Sequence, residues 1–346
     1  MKISLRRLPM LIAALVSVLP ATISMAAELP EIVRLMERQN YAGAEPMLRT
    51  ILAREDDADA EYLLGFLLIE TYRYDEAEQH LRKAVDARPQ EDHWLMVLAK
   101  AQLEQGKNRA AGQVLQRAIA LDPNPDYLHA HAMTALNTGD LAAAEASLRA
   151  CLERNAEHAD ALFRLGGLLM DQNHNEEGIK YLERARTVNP QNVDTLYRLG
   201  SAYRHTGKLD EAEQLLTAVV SRVPGHVGAL HNLSRVLIES GQEEAARKVM
   251  QKFQEMSKLR DEIDFNALAV RKNPDNIEGR LLLASLYMRA GRVQDALTDL
   301  HEARVLAPRD ARIYRSLAAA YRGLGDDNNA LRAERFADSI GGKASQ

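Results

Sequence analysis

The chain has 346 residues, 46% hydrophobic, 27% charged and 5% aromatic, with a formal net charge of −5 and a pI near 6.1. Near-average charge and apolar content excludes global disorder, a single cysteine excludes a disulfide scaffold or Cys-rich metal site, and the acidic balance argues against broad nucleic-acid binding. Alanine is the outlier, with 52 residues beside one Trp and five Phe, a composition suited to many close helix–helix contacts rather than one large aromatic core.

Lys2, Arg6 and Arg7 precede an apolar run from Leu8 to Leu19; Pro20 breaks it, and Ser24-Met25-Ala26 offers small residues for cleavage. Residues 1–26 are therefore expected to be a secretory signal peptide. The alternative is an uncleaved anchor over Leu8 to Ala27, which approaches membrane-spanning length. Nothing later is long and apolar enough to span a membrane, so the remainder is expected to be exported, to the periplasm of a Gram-negative-type envelope. That remainder carries 41 basic and 49 acidic side chains.

From residue 28 onward the chain repeats itself about every 34 residues. Leu196-x-x-Leu199-Gly200-x-x-Tyr203 … Gly207 … Ala212 … Leu216 … Val219 … Pro224 follows Leu162-x-x-Leu165-Gly166 … Gly178 … Leu182 … Ala185 … Pro190. Units start at 58, 92, 125, 159, 193, 227, 277 and 311, with a weaker one over about 28–57. Position 20 of the unit is Ala44, Ala77, Ala111, Ala144, Gly178, Ala212, Ala246, Ala296 and Ala330. Apolar residues at positions 4, 7, 8 and 11 predict one face of a first helix, and positions 20, 24 and 27 one face of a second. Gly or a polar residue at position 15 ends the first helix, and Pro at position 32 the second. Small residues at 8 and 20 are expected where the two helices cross. One such hairpin cannot bury its apolar face alone, so units must stack.

This pattern resembles the tetratricopeptide repeat family over about nine-tenths of the chain. The resemblance implies an all-α fold, an α-solenoid forming a right-handed superhelix of about nine helical hairpins. The expected organisation is a solenoid of about seven repeats over 27–260, an insert over 261–276, two further repeats over 277–340 and a disordered tail over 341–346. The insert arises because the unit starting at Val227 has Lys258 where Pro would stop its second helix. Ile263, Ala267 and Val270 fall at helical spacing, so either the second helix runs on past Arg260 or a short extra helix forms. A hinge between a long module (28–260) and a short one (277–340) is the functional reading of that break.

No zinc-protease, nucleophile-elbow, Walker or dinucleotide-binding motif is present, so neither enzyme activity nor a cofactor or metal is expected. His129 and His131 are two apart and point to different helix faces. Cys151, at position 27, is expected to be a small packing residue. In the family it resembles, the first helices line a concave groove through positions 2, 5, 9 and 12. That implies an apolar groove of Tyr62, Phe66, Ile69, Met96, Leu103, Met133, Phe163, Met170 and Tyr197. It also implies a basic stretch of Arg198, Arg204, Arg235, Arg289, Arg312, Arg315 and Arg322. The competing reading packs the apolar set against the next repeat and leaves the arginines as solvated surface. Charge grades the same way: 18 basic and 28 acidic residues over 28–192, against 23 and 21 over 193–346. The family's Lys/Asn pattern for a C-terminal carboxylate is absent, since Asn232 stands alone at position 6.

The function expected is a non-catalytic scaffold that binds protein partners of the cell envelope and assists their assembly or secretion. The alternative is a subunit guiding an acidic exopolysaccharide, held by arginines, during export. Neither nucleic acid nor a membrane span after signal cleavage is expected.

Overall fold

A computed structural model describes residues 28–341; the signal-peptide expectation for 1–26 and most of the tail lie outside them. Eighteen α-helices, with no strand, run through the described residues. In chain order they are α1 (Glu28–Glu37), α2 (Tyr41–Leu52), α3 (Ala58–Glu70), α4 (Tyr74–Ala87), α5 (Asp92–Glu104), α6 (Asn108–Leu121), α7 (Pro125–Thr138), α8 (Leu141–Arg154) and α9 (Ala159–Asp171). There follow α10 (Asn175–Val188), α11 (Val193–His205), α12 (Leu209–Arg222), α13 (Val227–Glu239), α14 (Glu243–Lys272), α15 (Ile277–Arg289), α16 (Val293–Leu306), α17 (Ala311–Gly323) and α18 (Asp327–Gly341). Odd-numbered helices are the first of each repeat and even-numbered the second.

The chain divides into two compact units, one ending at Asp171 and one beginning at Gln172. Within each unit every helix packs on the next, and first helices also touch first helices: α3 with α5, α11 with α13, α15 with α17. Second helices do not pair in this way to the same degree, so within each unit the first helices form the inner, more closely spaced side.

The hairpin follows from a few positions. The position-20 alanines are sealed from solvent, Ala44, Ala77, Ala111, Ala144, Ala212 and Ala296 completely. Opposite them sits position 8: a Cβ added to Gly65 would lie 2.5 Å from Leu81 Cγ and 3.2 Å from the Ala77 carbonyl, and one on Gly200 3.0 Å from Leu216 Cγ. Position 8 thus meets both position 20 and the leucine at position 24, and any larger side chain would overpack the crossing. Starts of many first helices are capped by side-chain oxygens, among them Asp57, Asn192, Asn276 and Asp310.

Position 15 turns the chain with left-handed φ in every repeat: six are glycines, from Gly106 to Gly325, and three are Gln39, Tyr72 and Asn173. Tyr72 departs from the expected Gly or polar residue, for an aromatic side chain gains nothing sterically there.

The insert is helical, and α14 settles how: it runs unbroken for 30 residues. Without Pro at 258 the second helix continues until Pro274, whose ring disfavours helical backbone in the residue before it. The extension is packed. Met256, Leu259, Ile263 and Val270 form a buried cluster with Leu230 on α13 and with Leu283 and Leu286 on α15. Cys151 is fully buried, its thiol 3.4 Å from the Pro125 carbonyl and pushed up to about 11 by burial, as a packing residue should be.

Candidate functional site

In the unit containing α1–α9, the inner side is built by α3, α5, α7 and α9, and the sequence places apolar residues along it. Phe66, Leu103, Met133, Phe163 and Met170 are half-buried, each with part of its surface in solvent. Phe66 and Leu103 rest against the hydrophobic core without being sealed into it. Tyr62, Ile69 and Met96 are a correction. At 5%, 3% and 8% exposure they belong to the core, so they offer a partner little surface.

For Tyr62 the reason is Trp94. Position 3 carries alanine in several repeats (Ala60, Ala161, Ala229), but here an indole fills it, fully buried. Tyr62 from the preceding repeat stacks flat on it at 5.0 Å, His93 meets Tyr62 edge-on at 5.6 Å, and the Arg88 guanidinium lies 5.3 Å from the indole ring. Burial holds the Tyr62 hydroxyl above its usual range. Burial holds the His93 and His129 imidazoles below their usual range. His129 stacks beside His158 at 4.9 Å, while His131 turns the other way to Ser147 on α8, at 2.8 Å.

The same unit holds a set of matched charges on α3 and α4. Asp59 accepts two hydrogen bonds from Arg88, at 2.9 and 2.7 Å. Glu61 pairs with His80 and Lys83. Glu78 accepts from Lys107 (2.7 Å), Arg82 and Gln102, so α4 is tied to α5 and to the turn before α6. Burial alone would raise the Glu78 carboxyl; those hydrogen bonds outweigh it and bring it down to about 2. Such a clamp fixes the spacing of successive repeats and hence of the apolar row.

In the unit containing α10–α18, Tyr197 is half-buried and lies over the next repeat, its ring 4.6 Å from His226 and its hydroxyl where a Gly228 side chain would be. The arginines do not form an open basic stretch. Arg204, with a side chain 12% exposed, pairs with Glu239 at 3.3 Å, and Arg235 approaches the same carboxylate at 3.9 Å. Arg289 faces Glu262 at 3.6 Å, Arg312 pairs with Asp310 and Glu278 at 2.7 Å, and Arg322 pairs with Glu334. Arg315 is exposed and Arg198 half-buried. Asn232 donates to Ser201 Oγ at 2.7 Å, an internal tie between repeats.

One feature escaped the sequence reading: a shallow cleft of about 500 Å³ where the turn between α3 and α4 meets the end of α5, lined in part by Tyr72, Tyr74, Glu104, Gln105 and Lys107. Its signal was present, because Tyr72 occupies the position that most repeats give to glycine.

Stacked helical hairpins with small residues where the helices cross define a helical-repeat protein. The chain belongs to the tetratricopeptide repeat family, whose profiles match residues 35–100, 68–134 and 207–255, and 129–173, 168–227 and 281–340. It is 32% identical over 163 residues to a protein of Xanthomonas axonopodis pv. citri (strain 306) called cellulose synthase operon protein C, matching 44% of this chain and 11% of that protein. It is 47% identical over 58 residues to a protein of the same name from Komagataeibacter xylinus, covering 17% of this chain and 4% of that one. The chain therefore spans only about a tenth or less of these curated relatives. Among solved structures, the C-terminal part of a repeat-containing protein from Cytophaga hutchinsonii superposes with a TM-score of 0.50 at 16% identity, covering 74% of this chain and 99% of that one. That likeness concerns the fold alone. No helix among the described residues is long and apolar enough to cross a membrane.

Proposed function

We propose that this chain is a non-catalytic scaffold, exported to the periplasm, which holds a protein partner against the inner side of α3, α5, α7 and α9. It would serve the assembly or export of a cell-envelope component. The observation that carries the reading is the row Phe66, Leu103, Met133, Phe163 and Met170: half-exposed apolar side chains on successive first helices. Flexible thioethers and aromatic rings at helical spacing suit an amphipathic or extended peptide. The names of the two relatives favour an exopolysaccharide system as the setting.

The test is photo-crosslinking from position 103 or 133, with exposed Arg117 on α6 as control. Protein adducts from the first two positions and not from the third, lost in a Phe66→Ala/Phe163→Ala variant, are expected. Equal adducts from all three positions would remove the inner side as the site.

A second reading, in which the chain grips an acidic polysaccharide directly, has the 23 basic residues of 193–346 in its favour, and against it the paired arginines and the uncharged polymer in the relatives' names. Binding to an anionic polymer that weakens steeply with salt and with Arg235→Glu would support it.

A further inference from the structure

We propose that the cleft at the α3–α4 turn is a second recognition site, which seats the arginine or lysine side chain of a basic peptide segment between Tyr72 and Tyr74. Two residues that the fold does not favour meet in this cleft. Tyr72 has φ of +62°, where six repeats use glycine, and is 80% exposed, so its ring gives nothing to the core in return. Glu104 is the last residue of α5, where the helix's own partial charge is negative. Glu70 and Glu239 end their first helices in the same way, but each has a cation: Lys100 at 3.2 Å and Arg204 at 3.3 Å. Glu104 has none among the described residues.

The rest of the lining is electron-rich too. Tyr72 and Tyr74 stand nearly perpendicular, centroids 6.3 Å apart, two walls of the kind that hold a cation against ring faces. The field of Glu104 adds to burial in holding the Tyr74 hydroxyl above its usual value. Gln105 donates its amide hydrogens to the Tyr74 and Ala101 carbonyls, both at 3.0 Å, which leaves its oxygen turned away from them and without a partner. The cleft's own cations are spoken for: Arg73 bonds Glu45 at 2.7 Å, and Lys107 bonds Glu78 at 2.7 Å. Asp75 is left with only a 3.9 Å approach to Lys107 and an 89% exposed side chain. Charge complementarity extends beyond the cleft, since residues 28–171 carry 15 basic and 25 acidic side chains. The occupant is therefore a cationic peptide rather than a sugar, although tyrosine rings could stack on either.

This site is separate from the inner row and does not rest on it. The probe is a short, fluorescently labelled Arg-Gly repeat peptide titrated against the whole chain, with a glucan oligosaccharide as competitor. We expect binding that Tyr72→Gly weakens about fivefold or more and that Glu104→Gln also weakens. Phe66→Ala/Phe163→Ala should leave it unchanged. Because glycine suits φ of +62°, Tyr72→Gly should melt no lower than wild type, which separates lost recognition from lost folding. Equal binding by wild type, Tyr72→Gly and Glu104→Gln would reduce the effect to a generally acidic surface and overturn the site. No peptide binding, or displacement of the peptide by the glucan oligosaccharide, would overturn the cationic occupant.

Discussion

Residues 28–171 and 172–341 are built from the same hairpin but handle charge in different ways. The first carries 15 basic and 25 acidic side chains and sinks several of the acids, Asp59, Glu61 and Glu78, into contacts between helices. The second carries 25 and 24 and matches many of them near the surface, arginine against carboxylate. The single Trp, stacked on Tyr62, lies in the first. The lesson is that the repeat holds position 20 small in both units, and positions 8 and 24 with few exceptions (Ile32 and Glu334), while positions 2, 3, 5, 9, 13 and 15 diverge. Binding chemistry should be sought where the two units differ.

The most damaging change to the first unit should be Trp94→Ala. A fully buried indole stacked on Tyr62 leaves a large cavity, costing about 3–5 kcal/mol. Hydrogen exchange should show the loss in α3–α7 and leave α15–α18 protected. Equal loss in both regions would mean that they unfold together and would break the comparison.

Next comes acid. Glu78 has its carboxyl lowered from 4.5 to about 2 in the folded chain, so its stabilisation is complete above 4.5 and is lost as pH falls through 2. The shift corresponds to at most about 3 kcal/mol. Urea unfolding between these pH values should steepen in wild type and flatten in Glu78→Gln; an unchanged slope would remove the clamp from the account. Overpacking follows in size. Gly65→Leu and Gly200→Leu should each cost about 1–3 kcal/mol, with Gly65 the worse because its neighbour is at 2.5 Å rather than 3.0 Å.

Most of the architecture was legible in the sequence. The alanine excess lay at position 20, and small residues lay opposite it at position 8, because two helices can cross closely only there. The nine-hairpin count and the helical insert followed from the same spacing. What spacing cannot convey is competition for volume between neighbours. Tyr62, Ile69 and Met96 occupy groove positions by number, yet all three are buried, Tyr62 because Trp94, two residues into its helix, stacks on it. Charge matching was equally hidden. Glu239 lies 35 residues from Arg204, a pairing visible only once repeats are stacked. The continuation of α14 depended on one missing proline, and its stop on another, Pro274.

The smallest expected effect on stability probes that matching most directly. Arg204 is nearly buried, its Nε without a hydrogen-bond partner, and Glu239 is the one carboxylate shown to pair with it. Glu239→Gln would remove a partly exposed pair and should cost no more than about 1 kcal/mol. It would also release Arg204 and Arg235 from their shared anion on α13. If the second unit is electrically quiet because its arginines are internally satisfied, dextran sulfate should bind Glu239→Gln more tightly than wild type, and the gain should fade as salt is raised. If affinity is unchanged, the arginines were already available and the polysaccharide reading regains its footing. A gain that persists at high salt would mean that the substitution opened an apolar surface rather than a charge.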